Sequence, residues 1–382
     1  MWFLEADIFA RMVLACIVLC VVSLVSGNVF KKNVMKHLLL PFDILLIGYV
    51  SVKLCAFYVG YTLITYLFVK LLKKATRFRK TLFVLLCLAC TIPFFYTRFT
   101  VFFDFLPKIF LLVGFSYNML KAIDALYFTY YAETDIPLYT YANYILFFPV
   151  ITSGPIFRYR DFAKNFDKPQ NVTPALCEKS VKRVILGLFK KMVALYFVNN
   201  YLLFVVDKGE FNTIYSLAVI ALSYVALYLD LSGYSDIAIG MGSVTGIIVP
   251  ENFKKPWLSP SFTVFWRNWH VTLSDFIREH IFVVLNGKKL NKYASAAIGF
   301  CTMFVMALWH GFTNIFVVSG VYNGLLLAIE NVFGLTRADK KKKKALFYVR
   351  CVVVSFLFGV NSMIFLFDFE TIFNVLKGLV GM

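Results

Sequence analysis

The chain has 382 residues, of which 60% are hydrophobic, 18% aromatic and only 16% charged, with a mean hydropathy of +0.75 and a net charge of +18. A soluble domain carries about 25% charged residues, so the composition excludes a water-soluble globular protein and requires an outer surface that faces something apolar. The basic excess does not point to nucleic acid, because Lys and Arg gather in short stretches between apolar runs.

Glu5 and Asp7 precede the first apolar run, 8–25. That run is too long for the hydrophobic part of a signal peptide and no small-residue cleavage site follows it, so it is expected to be a retained crossing. Lys31, Lys32 and Lys36 come next, then apolar runs at 54–72 and 81–95, between which the stretch 70–80 holds six basic residues. The run 101–119 is interrupted by Asp104 and Lys108 and reads as a tilted, re-entrant or protein-buried helix. The stretch 149–183 is polar and broken by Pro149, Pro155, Pro169 and Pro174. Apolar runs at 196–206 and 215–229 follow, then a short one at 237–249. A second polar stretch, 250–292, carries Pro250, Pro256 and Pro260. Runs at 294–308 and 315–329, six basic residues between Arg337 and Lys344, and a run at 347–367 complete the chain.

Backbone groups in lipid must be satisfied internally, which leaves helices or closed barrels. These runs are continuous rather than alternating, so the fold class is all-α and polytopic, with roughly nine to eleven crossings at about 20 residues each. The basic stretches mark the cytoplasmic side and meet anionic headgroups. Residues 37–69 then cross twice in short spans, and the N-terminus lies outside. No repeat and no Gly/Ser- or Pro-rich linker divides the chain. One domain, 1–382, is expected, with N-terminal spans (1–140), a motif-bearing core (141–335) and a basic loop with the last span (336–382).

Eight cysteines raise the question of disulfides or metal. Cys16, Cys20, Cys55, Cys87, Cys90, Cys301 and Cys351 all lie in apolar runs, and Cys87-Leu-Ala-Cys90 lacks the βαβ context of a redox motif. Packing is the expected role. Four histidines occur, at 37, 270, 280 and 310. His310, in Ala307-Leu-Trp-His-Gly311, ends an apolar run. An ionisable group at membrane depth is a functional candidate, although a histidine bonded to a helix-end carbonyl gives the same pattern. His270 lies in Phe265-Trp-Arg-Asn-Trp-His270-Val-Thr-Leu-Ser274, which by pattern alone is an interfacial anchor helix. Without HExxH or a tight His/Asp/Glu cluster, no metal site is expected. Asp230-Leu-Ser-Gly-Tyr-Ser-Asp236 lacks the last glycine of a nucleophile elbow. Gly240-Met-Gly242 is not a dinucleotide fingerprint and reads as helix packing.

In their order, Thr152-Ser-Gly-Pro-Ile-Phe-Arg158-Tyr-Arg-Asp-Phe162, the 230–240 motif, Pro250-Glu-Asn-Phe253, the His270 segment and Leu308-Trp-His-Gly311 closely resemble the bacterial membrane-bound O-acyltransferases, from about residue 110 onward. The resemblance implies a ring of tilted helices around a tunnel, with His310 as the catalytic histidine and His270 as a second one. By the same resemblance Trp266, Asn268, Trp269, Arg158, Asp236, Ser235 and Trp309 are expected to bind substrate. The Arg158, Ser235 and Pro250 motifs and Leu285-Asn-Gly-Lys look like the alginate O-acetyltransferase branch. Thr152-Ser-Gly-Pro and the short chain look like the branch that D-alanylates lipoteichoic acid, which carries an acidic residue where Phe157 stands.

The activity implied is transfer of an activated acyl group, acetyl first and D-alanyl as the alternative, to hydroxyls of a cell-envelope or exported polysaccharide. No bound cofactor is expected. The donor is a thioester, acyl-CoA or an acyl-phosphopantetheine carrier protein on the cytoplasmic side. The acceptor is an extracytoplasmic polysaccharide or teichoic acid, reached directly or through a partner transferase, and the setting is the bacterial cell membrane. The apolar patch 281–285 beside Lys288, Lys289 and Lys292 reads as a docking surface for an acidic carrier or as a buried helix turn. A transporter or flippase, the rival of another class, would carry inverted repeats and paired broken helices, and neither is visible. Cysteine-accessibility labelling is expected to place 70–80 and 337–344 in the cytoplasm and Glu5 outside; labelling at Lys73 from outside intact cells would reverse the orientation.

Overall fold

A computed structural model describes residues 17, 18, 21, 24, 35–99, 114–169, 171–282, 291–336, 338 and 343–381. The expected crossing 8–25 with Glu5 and Asp7, most of the run 101–119, the Leu285-Asn-Gly-Lys motif with most of the docking patch, and Arg337 with Lys340 to Lys342 lie outside the described residues, apart from the four isolated positions above. The described helices are α1 Met35–Val50, α2 Val52–Lys74, α3 Arg79–Phe99, α4 Phe115–Ala132, α5 Leu138–Leu146, α6 Tyr159–Asp167, α7 Pro174–Leu188, α8 Leu195–Asp207, α9 Thr213–Val244, α10 Phe262–Asn268, α11 Val271–Ile277, α12 Lys292–His310, α13 Asn314–Val332, α14 Lys344–Ser362 and α15 Phe369–Leu379. Among the described residues there is no strand.

Six helices are long and apolar enough to cross a membrane: Val52–Lys74, Arg79–Phe99, Thr213–Val244, Lys292–His310, Asn314–Val332 and Lys344–Phe365. With α1 at 16 residues and α8 at 13, any further crossing falls on short helices or outside the described residues. Ile214, Phe197 and Val352 are among many large apolar side chains on the surface. Patches of that kind face lipid or a partner rather than water. The chain is a multi-pass membrane protein.

The chain forms two compact units, Met1–Leu186 with Ser235–Pro250, and Gly187–Tyr234 with Glu251–Met382. In the first unit, α4 carries Asn118, Lys121 and Asp124 at three-residue intervals, which places them on one face. Each serves the proline-broken backbone that follows. Asn118 Nδ2 donates to Ile151 O at 2.9 Å and Lys121 Nζ to Ile145 O at 3.2 Å, while Asp124 accepts the Tyr159 N–H at 2.6 Å and pairs with Arg158 at 3.3 Å. The polar face supplies what lipid cannot, partners for irregular backbone.

In the second unit, α12 and α13 lie close together: a Cβ on Gly324 would fall 2.6 Å from the Phe300 ring, so only glycine permits the approach. Glu330 of α13 accepts the backbone N–H groups of Phe262 and Thr263, the latter at 2.9 Å, and the Thr263 hydroxyl at 3.1 Å. A carboxylate there satisfies orphan donors of α10 and opposes the positive end of its dipole. Arg350 of α14 ties the preceding turn, donating through Nε to Pro260 O at 2.8 Å and through Nη2 to Leu335 O. The 7-residue helix α10, too short to be stable alone, is therefore held from two neighbours. Glu330→Ala leaves two backbone donors without acceptors, at about 1–3 kcal/mol each, and should lower thermal stability in detergent accordingly. Glu330→Gln keeps one acceptor oxygen and should cost less; equal melting temperatures for Glu330→Ala and wild type would remove the clamp.

Candidate active site

His270 stands where α10 gives way to α11, in the left-handed conformation at φ 45°. Such a backbone costs a non-glycine residue free energy and persists only where its surroundings impose it. Here the Pro250-Glu-Asn-Phe motif does so. The Val271 N–H donates to Asn252 O at 2.9 Å and the Lys254 N–H to Asn268 O at 2.9 Å, so the two segments run paired on both sides of the histidine. Asn252 Oδ1 also accepts the Thr272 hydroxyl at 2.8 Å. Trp269 beside it is buried against Phe265, stacked at 5.6 Å, and Phe358 at 4.8 Å.

His310 is the last residue of α12. A Cβ at Gly311 would lie 2.5 Å from the Phe316 ring, so the glycine makes room for that ring. Phe316 then lies near-parallel to the His310 imidazole at 6.2 Å, with Phe365 edge-on at 5.4 Å and Trp309 at 4.9 Å. The imidazole is thus held among three aromatic rings.

The two histidines, forty positions apart in the chain, line one cavity of about 370 Å³ within the second unit. Trp266 and Trp269 line it too, and its wall is otherwise mostly leucine, methionine and phenylalanine. Asp230, Ser319, Asn323 and Asn361 supply polar groups that the sequence reading did not assign to the site. Their signal was available: Ser319 and Asn323 sit four apart in an apolar run, hence on one helix face. Asp230 is paired with Lys191, which a π-helical stretch, Phe189–Ala194, places in the interior. A second cavity of about 220 Å³ shares Trp266, Met303 and Met306 with the first and is bordered by Arg267 and Arg278.

Other expected site residues are elsewhere. Asn268 turns its amide to Ser259 Oγ at 3.0 Å, and Trp309 touches His310 without lining the cavity. Arg158, Ser235 and Asp236 belong to the first unit, where Arg158 is paired with Asp124 and Asp236 with Arg183 at 3.1 Å. His280 bonds locally to Phe276 O at 3.0 Å. Among the described residues no group of three His, Cys, Asp or Glu is arranged to hold a metal.

Burial, and then the charge His310 would carry, push the His270 imidazole down to about 3. It is therefore neutral at working pH, with one N–H to donate and one lone pair to accept; its Nδ1 is buried without a partner. His270 is neutral in both the folded and the unfolded chain above pH 6.5, its ordinary value, and contributes no pH dependence there. Below that the unfolded chain takes up a proton that the folded chain refuses, so stability falls as pH falls. His270→Asn should lose stability less steeply than wild type between about pH 6 and 4; parallel unfolding curves across that range would show that His270 titrates freely.

The model of the membrane-bound O-acyltransferase family matches residues 109–369. A probable alginate O-acetylase, AlgI, of Pseudomonas syringae pv. tomato is 34% identical over 60% of this chain and 45% of its own length. The teichoic acid D-alanyltransferase of Bacillus subtilis is 31% identical over 53% of each chain. The peptidoglycan O-acetyltransferase of Helicobacter pylori is 28% identical over 63% of this chain and 46% of its own. The chain thus aligns with about half the length of the curated relatives it matches. It belongs to the membrane-bound O-acyltransferase family.

Proposed function

We propose that this membrane-bound O-acyltransferase moves an acyl group, acetyl in the first place, from a thioester donor to hydroxyls of a cell-envelope or exported polysaccharide. The observation that carries the reading is the shared cavity: His270 and His310, the two histidines singled out by the family resemblance, meet in one largely apolar chamber. A hydroxyl is a poor nucleophile while protonated, and the thioester carbonyl is already electrophilic. His310 takes the hydroxyl proton as the oxygen bonds to the acyl carbon. The tetrahedral oxyanion accepts a hydrogen bond from neutral His270, then collapses with cleavage of the carbon–sulfur bond, and His310 returns the proton to the departing thiolate. The aromatic and aliphatic wall keeps out competing water.

The donor, acyl-CoA or an acyl-phosphopantetheine carrier protein, approaches from the cytoplasmic face through the second cavity, where Arg267 suits its phosphate, Arg278 being paired with Asp275 at 2.9 Å. The acceptor is extracytoplasmic, met directly or through a partner transferase, and the bilayer is the bacterial cell membrane with the N-terminus outside. Acetyl is preferred over D-alanyl because an ammonium group needs a counter-charge. The only carboxylate among the described residues lining the cavity, Asp230, is already engaged by Lys191. The D-alanyl alternative draws on the likeness to the Bacillus subtilis enzyme.

A positioned general base contributes about 10²–10⁴-fold, so His310→Ala should nearly abolish acyl transfer in reconstituted membranes at matched folded amount. His270→Asn keeps a hydrogen-bonding side chain and should retain part of the activity, with His270→Ala losing more. Near-wild-type turnover by His310→Ala would end this mechanism.

A further inference from the structure

The segment that holds His270 in its strained turn has a second side. Asn252 and Lys254 pair with residues flanking the histidine, and the Phe253 ring packs edge-on against Trp269 at 5.1 Å. From there the chain emerges at the surface: Lys254, Lys255, Trp257 and Leu258 are all exposed. Among the described residues neither lysine has an ion-pair partner. Lys255 is also held at φ 50°, a left-handed backbone that persists only where its surroundings impose it. This loop lies where three crossings meet. Lys292 at the start of α12 donates to Val332 O at the end of α13, at 3.4 Å. Ser261 Oγ donates to Thr336 O at 2.9 Å, and Arg350 of α14 reaches both Pro260 O and Leu335 O. The turn so tied adds exposed Phe333 and Leu335, and exposed Lys343 and Lys344 open α14.

An end of a crossing bundle that shows aromatic rings and lysines side by side has the composition of a headgroup layer. Water does not favour so many bare apolar side chains, and hydrocarbon rejects the charges. Phosphate-bearing lipid satisfies both. We propose that anionic lipid headgroups dock on the loop 254–258 and so steady the turn that carries His270. An acidic protein has the same charge complementarity; the bilayer has the position as well, since α12, α13 and α14 end there. Trp257 sits at headgroup level, its ring edge-on to Tyr228 at 5.4 Å, while the two ammonium groups take the phosphates. The coupling runs through one residue. The Lys254 side chain meets the lipid, and its N–H holds Asn268 O at 2.9 Å, two positions before the histidine. A ligand that binds the closed loop and not the opened one stabilises it by mass action.

The test is hydrogen exchange of the full chain in nanodiscs of phosphatidylcholine alone and with phosphatidylglycerol added, which needs no turnover. The amides of Lys254 and Val271, which close the pairing on both sides of His270, report the opening of the loop. One lysine at an anionic surface corresponds to about fivefold in an equilibrium, so exchange of both amides should slow by about that factor for each cation engaged. Exchange within α12 should not change. Lys254→Gln combined with Lys255→Asn, asparagine being at ease in the left-handed region, should exchange alike in the two discs. The wild-type comparison stands even if that variant folds poorly. Equal exchange of wild type in both discs overturns the proposal and leaves the lysines to an acidic protein. Slowing by inorganic phosphate in the neutral disc overturns it too, by marking a site for a free anion. A double variant that keeps the lipid effect does the same.

Discussion

The chamber depends on a carboxylate buried at the start of a helix of two turns. Glu330 gives α10 the acceptors that its own first turn lacks, and α10 delivers Trp266, Trp269 and, one residue beyond, His270. Without that anchor nothing intrinsic would keep so short a segment helical. The same helix that carries Glu330 also carries Asn323, seven residues and so two turns earlier on the same face. One helix thus holds the segment that leads to the histidine-bearing turn and supplies polar residues to the lining. It can approach closely enough to do so because Gly324 lets α12 and α13 pack without an intervening Cβ.

The spans were legible because their signal is local. Runs read at 54–72, 81–95, 294–308 and 315–329 appear as α2, α3, α12 and α13, each extended at its ends by polar or basic residues such as Lys73, Lys74 and Lys292. Long basic side chains keep their charge at the interface while their stems cover apolar surface, so they prolong a crossing that a hydropathy count cuts short. The run 215–229 misled for a different reason. Its helix continues through Asp230 and Asp236 to Val244. Lys191 and Arg183 neutralise those carboxylates from elsewhere in the chain, and no local pattern announces such partners.

The candidate site divides along the same line. His310 and His270 stood out because ionisable residues are scarce in such a chain, and both line the cavity. Asn268 was expected beside them by the family resemblance. In the structure its amide donates to Ser259 Oγ instead. Arg158 and Asp236 came from the family wording alone, and in the structure each is spent on a carboxylate or guanidinium of its own unit. A motif preserves what holds the backbone as well as what does chemistry. The Pro250-Glu-Asn-Phe segment is a clear instance, since Asn252 pairs with the turn that strains His270 and lines neither of the two cavities described.

The size of the chamber limits what can happen inside it. At about 370 Å³ it lies near the lower end of pockets that enclose a small ligand. For the proposed reaction that volume leaves room for the reactive end of a donor arm and one approaching hydroxyl rather than for a polymer chain. Catalysis by proximity then asks that the larger binding energy be spent outside the chamber, on the parts of donor and acceptor that never reach the reacting atoms. For the proposed donor, Arg267 borders the neighbouring cavity on one side. For the proposed mechanism, a neutral His270 suits the cavity better than a charged one would, because a cation beside His310 would hold down its basicity. Burial of His270 thus does two jobs: it keeps a neutral hydrogen-bonding group in the cavity, and under the proposed mechanism it leaves proton uptake to His310.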